Sequence, residues 1–69
     1  MSGKQTSEKL RTLREKRELT MRTVAKLLGI SYSSMSKYEY GIRVPRDPVK
    51  QKFAEFYGVS VEWLFFDRE

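Results

Sequence analysis

Three times in this 69-residue chain a Ser or Thr has an apolar residue immediately before it and another four positions after it: Leu19-Thr20-Val24, Ile30-Ser31-Met35 and Val59-Ser60-Leu64. A hydroxyl at a helix N-cap accepts a hydrogen bond from an otherwise unpaired N–H, and the flanking apolar pair closes as a hydrophobic staple. The first two helices opened in this way run into Gly29 and Gly41, and a glycine takes the left-handed conformation that ends a helix and turns the chain. Helices this short do not persist alone in water. The pattern therefore restricts the chain to a bundle of short, capped helices held together by packing.

The remaining segments fit the same plan. Ser7 is the expected N-cap of a first helix that carries Leu10 and Leu13 on one face and ends near Arg17. Met21, Val24, Ala25 and Leu28 have the i, i+3, i+4, i+7 spacing of a buried stripe on the second helix. In the third, Tyr32 to Tyr40, Met35 and Tyr38 are expected to face inward, with Ile42 just past the end. The segment Ile42-Arg43-Val44-Pro45-Arg46 reads as an extended basic loop, because a residue before proline avoids the helical region. Asp47 then reads as an N-cap with Pro48 at the first helical position. The fourth helix is expected to bury Val49, Phe53, Phe56 and Tyr57 and to stop at Gly58. The fifth carries Trp63, Leu64, Phe65 and Phe66. No segment reads as a strand. The expectation is a single all-α, five-helix domain over residues 7–69, preceded by a flexible segment 1–6.

Composition narrows the function. There is no cysteine and no histidine, so disulfides, thiolate metal sites and the usual Ser–His and Cys–His nucleophile pairs are excluded. No catalytic residue, metal, cofactor or small-molecule ligand is expected. Residues 1–52 carry thirteen Lys and Arg against five acids, whereas residues 53–69 carry one Arg against four acids. That asymmetry suits a polyanion-binding body with a tail turned elsewhere. No run of apolar residues is long enough to span a membrane, so a soluble cytoplasmic protein, associated with the nucleoid, is expected.

Two short helices joined at Gly29, the second exposing hydroxyls and a lysine, have the local chemistry of a helix-turn-helix, whose second helix enters the DNA major groove. Leu19-Thr20, Ala25, Leu28-Gly29-Ile30-Ser31, Met35-Ser36, Glu39, Gly41, Arg43 and Pro45 together resemble the Cro/C1-type (XRE) helix-turn-helix domain of phage repressors and bacterial regulators. The segment from Phe56 to Phe65 looks like that family's fifth-helix signature, so the resemblance runs from about Glu8 to Phe66. It implies a five-helix, lambda-repressor-like fold, a homodimer, and a double-stranded operator with approximate two-fold symmetry. It also implies base contacts from Tyr32, Ser33 and Lys37, and an inward Glu39 paired with Arg14 of the first helix. The family often has a phosphate-binding glutamine where this chain has Met21, and glutamine or arginine where it has Tyr32.

The chemistry of the individual residues supports particular roles. Lys37 can donate to O6 and N7 of guanine, Ser33 and Ser36 can donate or accept, and Tyr32 can pack its ring on a thymine methyl or give its hydroxyl to a phosphate. Arg22, Arg43 and Arg46 are expected to clamp phosphates, with Tyr40 offering its hydroxyl or backbone N–H to another. An exposed Glu39 would repel phosphate, which is a second reason to expect it inside. The last helices hold more large apolar groups than so small a core can cover. Phe53, Phe56 and Leu64 are assigned to the core, and Trp63, Phe65 and Phe66 to a protein interface. A second function class stays open on these grounds: a regulator that binds another protein, such as a partner repressor or a toxin, through the same fold.

Overall fold

The computed structural model describes residues 3–66, and capping chemistry sets most of its helix boundaries. Five helices follow one another: α1 (Gly3–Lys16), α2 (Met21–Leu28), α3 (Tyr32–Glu39), α4 (Asp47–Tyr57) and α5 (Val61–Phe65). The oxygens of Thr20, Ser31 and Ser60 accept from the backbone N–H groups of Thr23, Ser34 and Trp63, each three residues on. The helix ends are equally regular. Ile30, Ile42 and Val59 donate their N–H groups to the carbonyls of Ala25, Lys37 and Ala54, with Gly29, Gly41 and Gly58 left-handed at the turn. This is the Schellman arrangement, which satisfies carbonyls that the helix end leaves orphaned.

α1 ends in the same way without a glycine. Leu19 donates to the Arg14 carbonyl at 3.2 Å, and the residue at the turn is Glu18, with φ of 57°. A left-handed L-residue costs about 1 kcal/mol or more. Glu18 is exposed, so Glu18→Gly loses no packing. Allowing for the greater freedom of glycine in the unfolded chain, it is expected to stabilise the domain by ~0.5 kcal/mol, read as a rise in urea midpoint with an unchanged m-value.

Three expectations are corrected. Ser7 is not an N-cap: α1 begins four residues earlier, at Gly3, so that positions 3–6 are helical and Ser7 is buried on the inner face. Asp47 does not cap α4; it is the first helical residue, no side chain caps the helix, and its carboxylate lies 3.7 Å from the Lys50 ammonium. Pro48 accordingly follows it within the first turn rather than opening the helix. Finally, Ile42 does not face inward but is 71% exposed, because the turn at Gly41 carries the chain away from the core. The helical part of α3 stops at Glu39, and Tyr40 is its C-cap. Residues 1–2 of the expected flexible segment, and Asp67, Arg68 and Glu69 of the acidic tail, lie outside the described residues.

The core is built around Phe53, which is fully buried with Leu10, Val24, Met35 and Leu64. Tyr38 meets the Phe53 ring edge-on at 6.0 Å between centroids, and Phe65 lies tilted at 6.3 Å. Phe56, expected in the core, is half-buried and packs against it from outside. Every helix contributes a buried residue, and α3 is held between α1 and α2. Among the described residues no helix is long and apolar enough to cross a membrane.

Tyr57 is buried beside this cluster, and no hydrogen-bond partner reaches its hydroxyl among the described residues. Burial, with Glu39 nearby, pushes its pKa from 10.0 up to about 12. The fold thus favours the neutral phenol. The associated stability is present below pH 10 and is lost as the pH climbs from 10 through 12, at up to ~1.4 kcal/mol per pH unit. Tyr57→Phe should remove this alkaline component, and below pH 10 it should gain about 1 kcal/mol by deleting an unpaired buried polar group. Chemical denaturation of both proteins between pH 7 and pH 11.5 would show the difference curve; parallel curves would refute it.

Candidate nucleic-acid interface

α3 presents two chemically distinct sides. Met35, Tyr38 and Glu39 are buried, while Tyr32, Ser33 and Lys37 are exposed and Ser36 is half-buried. Tyr40, at the C-cap, is also exposed. The base-contact residues expected from the sequence therefore share one open surface, and Tyr38 belongs to the core.

The one acidic residue of α3 is withdrawn from that surface. Glu39 is 1% exposed. Arg14 Nε donates to its Oε2 at 2.7 Å and Arg14 Nη2 to its Oε1 at 3.0 Å, a bidentate pair between α1 and α3. Arg14 Nη1 also donates to the Leu19 carbonyl at 2.7 Å, where the chain enters α2. Arg11 Nη2 reaches the Glu39 carbonyl at 3.3 Å. The hydrogen bond to Glu39 is the chief cause that raises the Arg14 pKa, so the guanidinium stays charged. One arginine thereby ties α1, the start of α2 and the end of α3 together, and it neutralises a carboxylate that would otherwise oppose a phosphate backbone.

The three arginines expected to clamp phosphates are all exposed. Arg22, in the first turn of α2, is exposed, and its guanidinium carbon stands 4.8 Å from the centroid of the Tyr32 ring. Arg43 and Arg46 are exposed on the segment between α3 and α4. Arg43 is fixed relative to α3, because its N–H and that of Ile42 both donate to the Lys37 carbonyl, at 3.3 and 2.9 Å. Arg43 and Arg46 line one cleft with Tyr38, Val44 and Val49.

The three aromatics at the end of α5 are not equivalent. Lys9 donates to the Trp63 carbonyl at 2.6 Å and holds its ammonium 4.4 Å from the Trp63 ring centroid. Phe65 packs on the core through Phe53. Phe66 is the most exposed of the three, with the Lys50 ammonium 4.6 Å from its ring. Part of the ring area assigned to an interface is thus used within the chain itself. Sequence reasoning did not single out the exposed apolar residues Leu27 and Val44. The signal for Leu27 was present, since it falls between the positions of the α2 stripe. Among the described residues no group of three or more acidic side chains gathers to hold a metal ion.

Comparison with known proteins gives a consistent result. A family model described as a helix-turn-helix domain matches residues 6–64. The chain is 36% identical over 63 residues to the cryptic phage CTXphi transcriptional repressor RstR of Vibrio cholerae, across 91% of this chain and 57% of that protein. It is 38% identical over 60 residues to the HTH-type transcriptional repressor RghR of Bacillus subtilis (strain 168), across 86% of this chain and 44% of that protein. The chain spans about half the length of these curated relatives. No solved structure matches it.

Proposed function

Because the chain belongs to the helix-turn-helix domain family, of the Cro/C1-like kind, we propose that it is a non-enzymatic, sequence-specific DNA-binding repressor, of the phage or mobile-element type, that lays α3 in the major groove. The observation that carries this reading is the sorting of charge on α3. Lys37 and the hydroxyls face out, whereas Glu39 is buried and neutralised by Arg14. Lys37 reads guanine through O6 and N7, while Ser33, Ser36 and Tyr32 meet neighbouring bases. Arg22, Arg43, Arg46 and Tyr40 hold phosphates on either side and set the register of the helix. Two copies, associated near Trp63, Phe65 and Phe66, would place their α3 helices on half-sites about 34–36 Å apart. Repression then follows from occlusion of a promoter.

Two variants separate reading from clamping. Lys37→Ala should relax preference at one base position at a cost of about 1–3 kcal/mol. Arg43→Ala should weaken binding to all sequences about equally and reduce the log–log salt slope by ~0.9. Binding measured against sites selected from random duplexes tests both. Unchanged base preference in Lys37→Ala would place the reading surface elsewhere.

A second reading is favoured by the exposed apolar side chains Leu27, Ile42, Val44 and Phe66. Under it, the fold acts as an anti-repressor or antitoxin by binding another regulator. A gel-shift with and without candidate partner proteins distinguishes the two: salt-dependent retardation of DNA by the protein alone supports the first, and no such retardation by the protein alone, with a partner's own DNA binding altered when the protein is added, supports the second.

A further inference from the structure

Arg22 and Tyr32 belong to different helices, the first turn of α2 and the first residue of α3, yet their side chains form one unit. With Arg14, Thr20 and Met21 they line a single cleft between the two helix starts. Tyr32 is 44% exposed, and an exposed ring that is free to change rotamer loses entropy whenever it must hold one position. The Arg22 guanidinium, 4.8 Å from the ring centroid, supplies that restraint. A guanidinium is planar and weakly hydrated, and if it lies parallel to a ring it still has in-plane N–H donors free at its rim. One side of the ring is therefore backed by a cation, and its remaining surface is available for an apolar contact.

The thymine 5-methyl group is the apolar feature of the major groove that such a surface fits, and phosphate is what the free guanidinium donors fit. We infer that Arg22 is the positioning residue that holds the Tyr32 ring against a thymine methyl, so that one stacked pair reads T at a single operator position while anchoring the adjoining phosphate. This rests on the reading of α3 as the major-groove helix. It assigns the Tyr32 hydroxyl no part in recognition. It also makes lysine a poor substitute at position 22, since a compact ammonium has charge but no plane to stack.

The test uses the full chain and a duplex that it selects from a random library, with each thymine replaced in turn by deoxyuridine. One thymine per half-site should prove sensitive, with about a fourfold loss of affinity, the value of burying a single methyl group. Tyr32→Phe should keep that T-over-U preference, and Tyr32→Ala should abolish it. Arg22→Lys should reduce it towards one while leaving the salt slope unchanged, a combination that loss of a mere phosphate contact does not produce. The inference is overturned if no thymine is sensitive, if Tyr32→Ala still discriminates, or if Arg22→Lys retains the full preference. Failure of the broader reading looks different. There, Lys37→Ala also leaves every base preference unchanged, whereas an effect of Lys37→Ala with none from deoxyuridine sinks only the Arg22–Tyr32 assignment.

Discussion

Arg14→Ala should leave this domain largely unfolded at 25 °C. The substitution strands Glu39, which is 1% exposed, as an uncompensated buried carboxylate, and it removes the donor to the Leu19 carbonyl. Breaking a buried ion pair from one side costs about 3–5 kcal/mol. A single core in a chain of this length supplies a margin of about 3–5 kcal/mol in total. The expected observation is loss of the helical far-UV signal and of any thermal transition. Replacing both partners, as in Arg14→Met with Glu39→Met, removes the stranded charge and should recover most of the fold. If Arg14→Ala melts like the parent, the pair contributes nothing and the withdrawal of Glu39 from the α3 surface needs another explanation.

Phe53→Ala should be about as damaging, for a different reason. Phe53 is fully buried and its ring meets Tyr38 of α3, Tyr57 of α4 and Phe65 of α5. Truncating a buried phenylalanine costs about 3–5 kcal/mol through lost transfer energy and the cavity left behind. Because Tyr38 forms the inner side of α3, the loss reaches the candidate interface directly. Any protein that remains folded should bind DNA more weakly, although no residue on the exposed surface has changed. Phe53→Leu, which leaves a smaller void, should cost clearly less. Equal effects of the two substitutions in thermal melts would show that the site collapses without a cavity.

The helix-turn-helix was legible because its signals are local. Thr20, Ser31 and Ser60 cap as expected, and Gly29 and Gly58 end helices in left-handed turns. A cap depends on a hydroxyl and an N–H three residues away, so sequence spacing alone places it. The misreadings share a cause as well. Ser7 and Asp47 are good cap residues that sit inside helices, because the packing of α1 and the geometry ahead of α4 allow each helix to begin earlier. Helix starts shift by a residue or more at little cost when tertiary contacts favour it. Glu18 at the end of α1 was not legible, since nothing local marks a glutamate for a left-handed conformation.

On α3, the outward residue types were readable from helical periodicity, whereas the inward turn of Glu39 and its pairing with Arg14 followed from the family resemblance and from the repulsion an exposed carboxylate would meet beside phosphate. The Arg22–Tyr32 contact was not readable, because those residues lie ten positions apart on separate helices, and only the angle at Gly29 brings them together. The division of labour at Trp63, Phe65 and Phe66 was equally hidden: composition showed a surplus of apolar area, and packing decided which rings use it.

The order of residues by itself determined where the chain coils and turns, which side of each helix is apolar, and that the basic charge precedes the acidic. Tertiary structure alone decided that Arg22 meets Tyr32 and Lys9 meets Trp63, and that the buried Tyr57 hydroxyl has no hydrogen-bond partner among the described residues. The physical reason is range. Capping and helical periodicity act over one or two turns of backbone, whereas stacking and ion pairing depend on interhelical angles that only the packing of the whole core can set.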